Sequence, residues 1–152
     1  GAAMVEFALV LPLLVVLMLG TITTGLTLND DLQLNHSTRD GARYGATVAA
    51  DETFGSGTWA TNVQAVVLAR FGGGLTAADV CVALVEGSPA TPLSANHTTD
   101  SGGAACYDDS ASGVFDTRVQ VSATKDGEIE TGLYTFALTL SADAVTMHES
   151  NV

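Results

Sequence analysis

The chain opens GAAMVEFALVLPLLVVLMLG, Gly1 to Gly20, and the reading of this stretch decides the architecture. One carboxylate, Glu6, is followed by 23 residues, Phe7 to Asn29, that carry no Asp, Glu, Lys, Arg or His. As a helix that run would be about 35 Å long, enough to cross the hydrocarbon core of a bilayer. An isolated carboxylate in hydrocarbon is costly, so Glu6 needs either a cationic partner or a proton.

The rest of the composition belongs to an ordinary soluble domain. The 152 residues suffice for one domain plus an appendage, and much of the excess in mean hydropathy falls in the first 28 residues. Seventeen acidic residues face five basic ones, for a net charge of −12, and no Lys or Arg precedes Arg39. Nucleic-acid binding needs clustered positive charge, and attraction to an anionic membrane surface needs the same, so both are disfavoured. The acidity reads as a solvated, self-repelling exterior. The two cysteines, Cys81 and Cys106, match no zinc or redox spacing. In an exported chain they form a disulfide that closes a polar, Gly-rich loop and stabilises by about 3 kcal/mol; the alternative is two buried thiols.

A secretory signal peptide is a poor fit to the opening stretch, because its apolar region is shorter and it is itself removed. A basic flank, usual for a membrane-inserted helix, does not precede the run. Either the chain is a piece of a longer one, or a basic leader directed insertion and was cut off before the apolar segment. The stretch Gly1-Ala2-Ala3-Met4-Val5-Glu6-Phe7-Ala8-Leu9-Val10-Leu11-Pro12, Leu-rich onward to Gly20, resembles the TadE/TadG-like pseudopilins, the tight-adherence branch of the type IV pilin superfamily. Leu34 to Ala46 is similar to the stretch that follows the apolar helix in that family, and Leu138 to Ala144 is similar to its last strand. The resemblance implies cleavage after a Gly by a prepilin peptidase, with Glu at the fifth mature position. Glu6 holds that place if Gly1 precedes the cut and Ala2 becomes the first residue. It also implies that the N-terminal helices assemble in a filament core through residues such as Phe7, Leu11, Pro12, Leu14 and Leu17. Glu6 would then neutralise the α-amino group of a neighbouring subunit and set its axial register, a close cation being what a buried carboxylate gains most from. The alternative is a protonated Glu6 facing lipid or an interface.

The fold class expected is α+β: a long apolar N-terminal helix, then a small head with a short helix and an antiparallel sheet. The domain division is 1–50 for the helix and its extension and 51–152 for the head. Pro12 should kink or loosen the first helix, and Gly20, Gly25 and the threonines near them should weaken it further. Gly41, Gly45 and Ala49 recur every fourth residue, a row small enough for close backbone approach. That row faces either a neighbour's helix or the underside of the chain's own sheet. Arg39 and Arg43 lie one turn apart and are expected to pair with acids such as Asp40.

A second helix is expected over Thr58 to Phe71, with Trp59, Val63, Val66, Val67 and Phe71 on its apolar face and Gly72-Gly73-Gly74 as its stop. Strands are expected over Asp79 to Val85, Thr117 to Thr124 and Tyr134 to Ala144, with Asp126-Gly127 as a hairpin turn. The first of these is apolar on both faces; in the second Val119, Val121 and Ala123 lie on one side and Arg118, Gln120 and Ser122 on the other. In the third, Tyr134, Phe136, Leu138 and Leu140 point inward. Glu86 to Asp116 reads as one long polar loop, the place for anything variable or adhesive. Its acids, Asp100, Asp108 and Asp109 together with Asp116, do not follow the EF-hand spacing, and no metal site is assigned.

Catalysis has no support in the sequence. His36, His97 and His148 have no Cys, Ser or second His at the spacing of a dyad or metal pair, and no cofactor motif is present. The function expected is a structural filament subunit at the cell surface, membrane-inserted before assembly. Its partners would be further copies of itself, the prepilin peptidase and an inner-membrane assembly machinery. A minor membrane-anchored pseudopilin that primes or tips a filament is the nearest alternative. A monomeric binding module on an uncleaved anchor is the next, and it would keep a basic leader.

Overall fold

The computed structural model describes residues 1–48, 58–86, 91–98, 117–130 and 134–148. It is an α+β fold: a long helix α1 (Ala2–Thr47), a second helix α2 (Thr58–Phe71), a 3₁₀ turn (Ala77–Asp79), and strands β1 (Val80–Glu86), β2 (Thr91–His97), β3 (Arg118–Glu130) and β4 (Thr135–Met147). The strands form one antiparallel sheet in the order β2-β1-β3-β4.

Helix α1 has 46 residues and so extends for about 69 Å. Pro12 lies inside it and does not end it, although the Pro ring removes one backbone donor. The threonines that lower helix propensity are bonded back onto the helix itself. Thr21 Oγ1 donates to the Leu17 carbonyl at 3.1 Å, Thr24 Oγ1 to that of Gly20 at 2.7 Å, and Thr27 Oγ1 to that of Thr23 at 3.0 Å. Such bonds let hydroxyls sit in an apolar medium without an external partner.

The head is built on the last third of α1. Leu34, Ala42 and Ala46 enter a core with Trp59, Val63, Val67 and Phe71 of α2 and with Val80, Val82, Leu84, Val119, Val121, Ala123, Leu140 and Ala142 of the sheet. The α2 face is the expected one, except that Val66 stays half-buried. The helix stops where Gly72, Gly73 and Gly74 take positive φ values of 82°, 134° and 78°, which other residues rarely adopt. Trp59 Nε1 donates to the Gly45 carbonyl at 3.2 Å, so the indole is both buried and satisfied.

Three sequence expectations are corrected. First, the stretch 86–116 is not all loop: β2 lies within it and pairs with β1. Second, Asp126-Gly127 is not a turn. The β3–β4 ladder continues through Asp126↔Thr139 and Gly127↔Leu138 to Glu130↔Thr135. The two-residue turn needs positive φ at its Gly, and Gly127 is not among the described glycines that have it. Third, the inward row of the last strand is only partly covered: Tyr134, just before β4, and Phe136 and Leu138 within it continue the core row but are exposed, because cover begins only at Leu140. Arg118 and Gln120, on the side opposite Val119 and Val121, are buried together with Ala83 and Val85 on the same face of β1, so the sheet is covered on both sides there.

Candidate functional site

The feature that sets this molecule apart is the first two-thirds of α1. Sixteen of the 22 large apolar side chains exposed among the described residues lie between Met4 and Leu32. They occupy every side of the helix, including Phe7, Leu11, Leu14 and Leu17 at 63 %, 44 %, 54 % and 58 % exposure. A helix apolar on one side finds its cover in its own domain, whereas one apolar all round needs an apolar medium or other helices on every side. The helix is long and apolar enough to cross a membrane, and none of the qualifying window is buried within the chain.

Glu6 stands exposed in the second turn of this helix, with Gly1 and Ala2 at its start. No described cation in the same chain pairs with it. No side chain caps the helix start, and no acid lies in its first turn. Any charge partner for Glu6 other than its own terminus must therefore come from outside the described chain.

The other candidate residues are placed as follows. Gly41 and Gly45 do lie at a close approach, and it is made inside the molecule. A Cβ at Gly41 would overlap Val67 Cγ2, and one at Gly45 would meet Val63, Trp59 and Val119 at 3.0–3.1 Å. The row therefore packs inside the chain, chiefly on α2 and not on the sheet, of which only Val119 is met, at Gly45. Ala49 lies outside the described residues, as do Cys106 and the acids Asp100, Asp108, Asp109 and Asp116. Among the described residues no cysteine is free and no cluster of His, Cys, Asp and Glu could hold a metal ion.

The basic residues are arranged differently from expectation. Asp40 does not pair with Arg39 or Arg43. Its Oδ2 lies 3.7 Å from Nε of Arg70, across the groove between α1 and α2. Lys125 on β3 reaches Oδ2 of Asp30 at 2.6 Å, and its ammonium sits 4.8 Å from the centre of the Phe71 ring. Asp30 is the first charged residue after the apolar run. Sequence reasoning missed this pair, for which two facts could have been a signal: Lys125 is the one lysine in the chain, and an acid closes the apolar run.

Comparison with known families bears out the likeness read from the N-terminus. Residues 1–43 match the family model described as TadE-like protein. The match covers the apolar run and continues through Leu34 to Arg43, the part of α1 that enters the head. The likeness drawn for Leu138 to Ala144 lies beyond the matched residues. No curated protein and no solved structure matches the chain. The protein therefore carries a TadE-like N-terminal helix joined to an acidic α+β head.

Proposed function

We propose that the chain is a structural subunit, a pilin, of an extracellular Tad-type filament, and not an enzyme. The observation that carries this reading is the uncovered helix, apolar on every side from Met4 to Leu28, on a small head with a closed core of its own. Such a helix resides in the bilayer before assembly and among its neighbours' helices afterwards. Lipid covers these side chains in the bilayer as well; once the filament has left it, keeping each Leu or Phe from water is worth roughly 1.5–3 kcal/mol, so a few mutual contacts per subunit give strong cohesion. A prepilin peptidase and an inner-membrane assembly machinery are the partners this route requires. The heads form the acidic outside, where contact with other surfaces takes place. Cys81, whose thiol is not free, pairs with Cys106 and staples the head for life outside the cell.

In this reading Glu6 pairs with the α-amino group of an adjacent subunit. Replacement by Leu removes that register contact while adding apolar area. The Glu6→Leu chain should remain in the membrane and contribute less than about a tenth of the wild-type filament mass, since each 1.4 kcal/mol is tenfold. Filaments of normal yield and symmetry from this variant would remove Glu6 from the mechanism.

The deciding experiment is electron microscopy of material sheared from the source cells, with mass spectrometry of its N-terminal peptide. Filaments composed chiefly of this chain and beginning at Gly1 or Ala2 support a processed major pilin. Recovery in sheared filaments at trace level, with most of the chain in membranes, makes it a minor pseudopilin. Recovery only in membranes with a leader still attached defeats both and leaves an anchored binding module.

A further inference from the structure

All five basic residues of the chain are among the described residues. Arg118 is buried in the sheet, and Lys125 is held by Asp30. The three that remain, Arg39, Arg43 and Arg70, are all exposed and lie on one surface of the head. Arg39 and Arg43 stand one turn apart on the outer side of α1, and Arg70 ends α2 beside Asp40. Arg43 is a crest between two shallow depressions. Asp40, Tyr44 and Arg70 line one, and Arg39, Asp143 and Val145 line the other. No described acid forms an ion pair with Arg39 or Arg43.

Arg70 is taken by Asp40, which leaves Arg39 and Arg43, with Asp143 in the same depression, as the exposed cations of this strip without a described ion pair on a molecule of net charge −12. Copies of such a chain repel each other unless acids of one meet the strip of the next. Nucleic acid is excluded as occupant by the overall charge. Lipid headgroups are excluded by distance. Arg39 and Arg43 lie 10 and 14 residues beyond Asn29, hence about 15–21 Å along the helix from the end of the apolar run. That exceeds the Debye length of about 8 Å in physiological salt.

We propose that the strip docks a second copy of this chain through Asp126 and Glu128 of its β3. This rests on the filament reading above and names a contact between heads. Asp126 and Glu128 are exposed, share one face of the strand, and oppose the small residues Thr139 and Ala137 of β4. Two positions apart on a strand is about 6.7 Å, and four residues of helix rise about 6 Å. The two carboxylates therefore match the spacing of the two guanidinium groups, and each pair can be bidentate.

The contact also has a direction. Lys125, adjacent to Asp126, is bonded to Asp30 of its own α1, so the acidic pair lies near the level of residue 30. The strip lies about 11 residues further along, roughly 16 Å. Acid and base surfaces at different heights make a head-to-tail contact, which propagates as an open stack and does not close into a pair.

The test uses the full chain in expressing cells. Arg39→Glu with Arg43→Glu, and separately Asp126→Arg with Glu128→Arg, should each lower sheared filament mass by about tenfold or more. Membrane content of the chain should stay at the wild-type level. Combining all four changes should restore most of the yield. Wild-type yield from either pair of changes, or no restoration on combination, overturns the docking. A second measurement separates this from the filament reading: Thr47→Cys with Thr124→Cys, exposed neighbours of the two pairs that leave all four charges in place, treated in membranes with a short bis-maleimide. A ladder of linked copies without filaments keeps the docking and defeats the filament reading. Filaments without a ladder do the reverse, and the loss of both defeats both.

Discussion

Residues 4–28 and residues 34–46 belong to one unbroken helix, yet they are made for different surroundings. In the first stretch large apolar side chains point in all directions and stay exposed. In the second, the residues on the covered side are small after Leu34: Ser37, Thr38, Gly41, Ala42, Gly45 and Ala46 are buried against the head, while Arg39, Asp40, Arg43 and Tyr44 face out. The small side lets α2 and the sheet come close, as the overlap at Gly41 shows. The bulky side of the first stretch does the opposite, offering area and leaving fine fit to whatever covers it. Helical geometry is the same in both, so the surroundings are set by residue size and polarity alone.

The largest effects should come from breaking the head without touching the free helix. Trp59 is fully buried and bonded to the Gly45 carbonyl. Trp59→Ala should destabilise the head by about 3–5 kcal/mol, read as a fall in the thermal midpoint by circular dichroism in detergent. Its membrane partition should not change. If the variant left the membrane fraction, the two stretches would not be independent.

The reverse change comes next. Leu14→Asp puts a charge in the middle of the apolar run at a cost of about 2.5–3.5 kcal/mol for insertion. The chain should fall in the membrane fraction and be lost from filaments, while the head keeps its unfolding midpoint. An unaltered membrane fraction would mean that the run does not cross the bilayer.

The glycines sharpen the comparison within one residue type. At Gly41 an added methyl meets the stiff, buried Val67 side chain, so Gly41→Ala should cost the head roughly 1–3 kcal/mol. At Gly20 and Gly25 an added methyl meets nothing within 4 Å. Gly20→Ala should leave the head unchanged and strengthen the helix by up to about 1 kcal/mol. Fluorescence of the single Trp59 follows the head in both variants. Equal effects at the two sites would contradict the assignment of Gly41 to an internal contact.

What could be read from the sequence follows the same division. The apolar run, α2 and its glycine stop were legible because each rests on local pattern: length without charge, 3.6-residue spacing, and residues able to take positive φ. The likeness of Gly1 to Pro12 to TadE-like proteins was legible because a carboxylate inside a membrane-length run is rare. The failures were all non-local. Asp126-Gly127 has turn chemistry, yet β3 and β4 hold their register past it, and a ladder of cross-strand bonds overrides one dipeptide's preference. Alternation separates Arg118 and Gln120 from the core row without saying what lies on their side, and there the far side of the sheet is covered as well. The choice between partners for Asp40 was settled by α2, which brings Arg70 across from a residue 30 positions later.

The smallest effect concerns the junction of the two stretches. Asp30 ends the uncharged run, and its bond to Lys125 ties α1 to β3 where the helix leaves the head. The ammonium also lies over the Phe71 ring, so it links both helices to the sheet. The Lys125 side chain is 19 % exposed and that of Asp30 38 %, so solvent screens the pair and its net contribution is at most about 1 kcal/mol. Lys125→Met retains the length and apolar body of the side chain and removes the charge. It should lower the head's unfolding midpoint by no more than about 4–8 °C, the shift 1 kcal/mol makes in a domain of about 100 residues. The Lys125→Met and Asp30→Asn changes act on one bond, so their combined effect should be less than the sum of the two. Full additivity would show that neither residue depends on the other, and the helix would then be held at its exit by apolar contact alone.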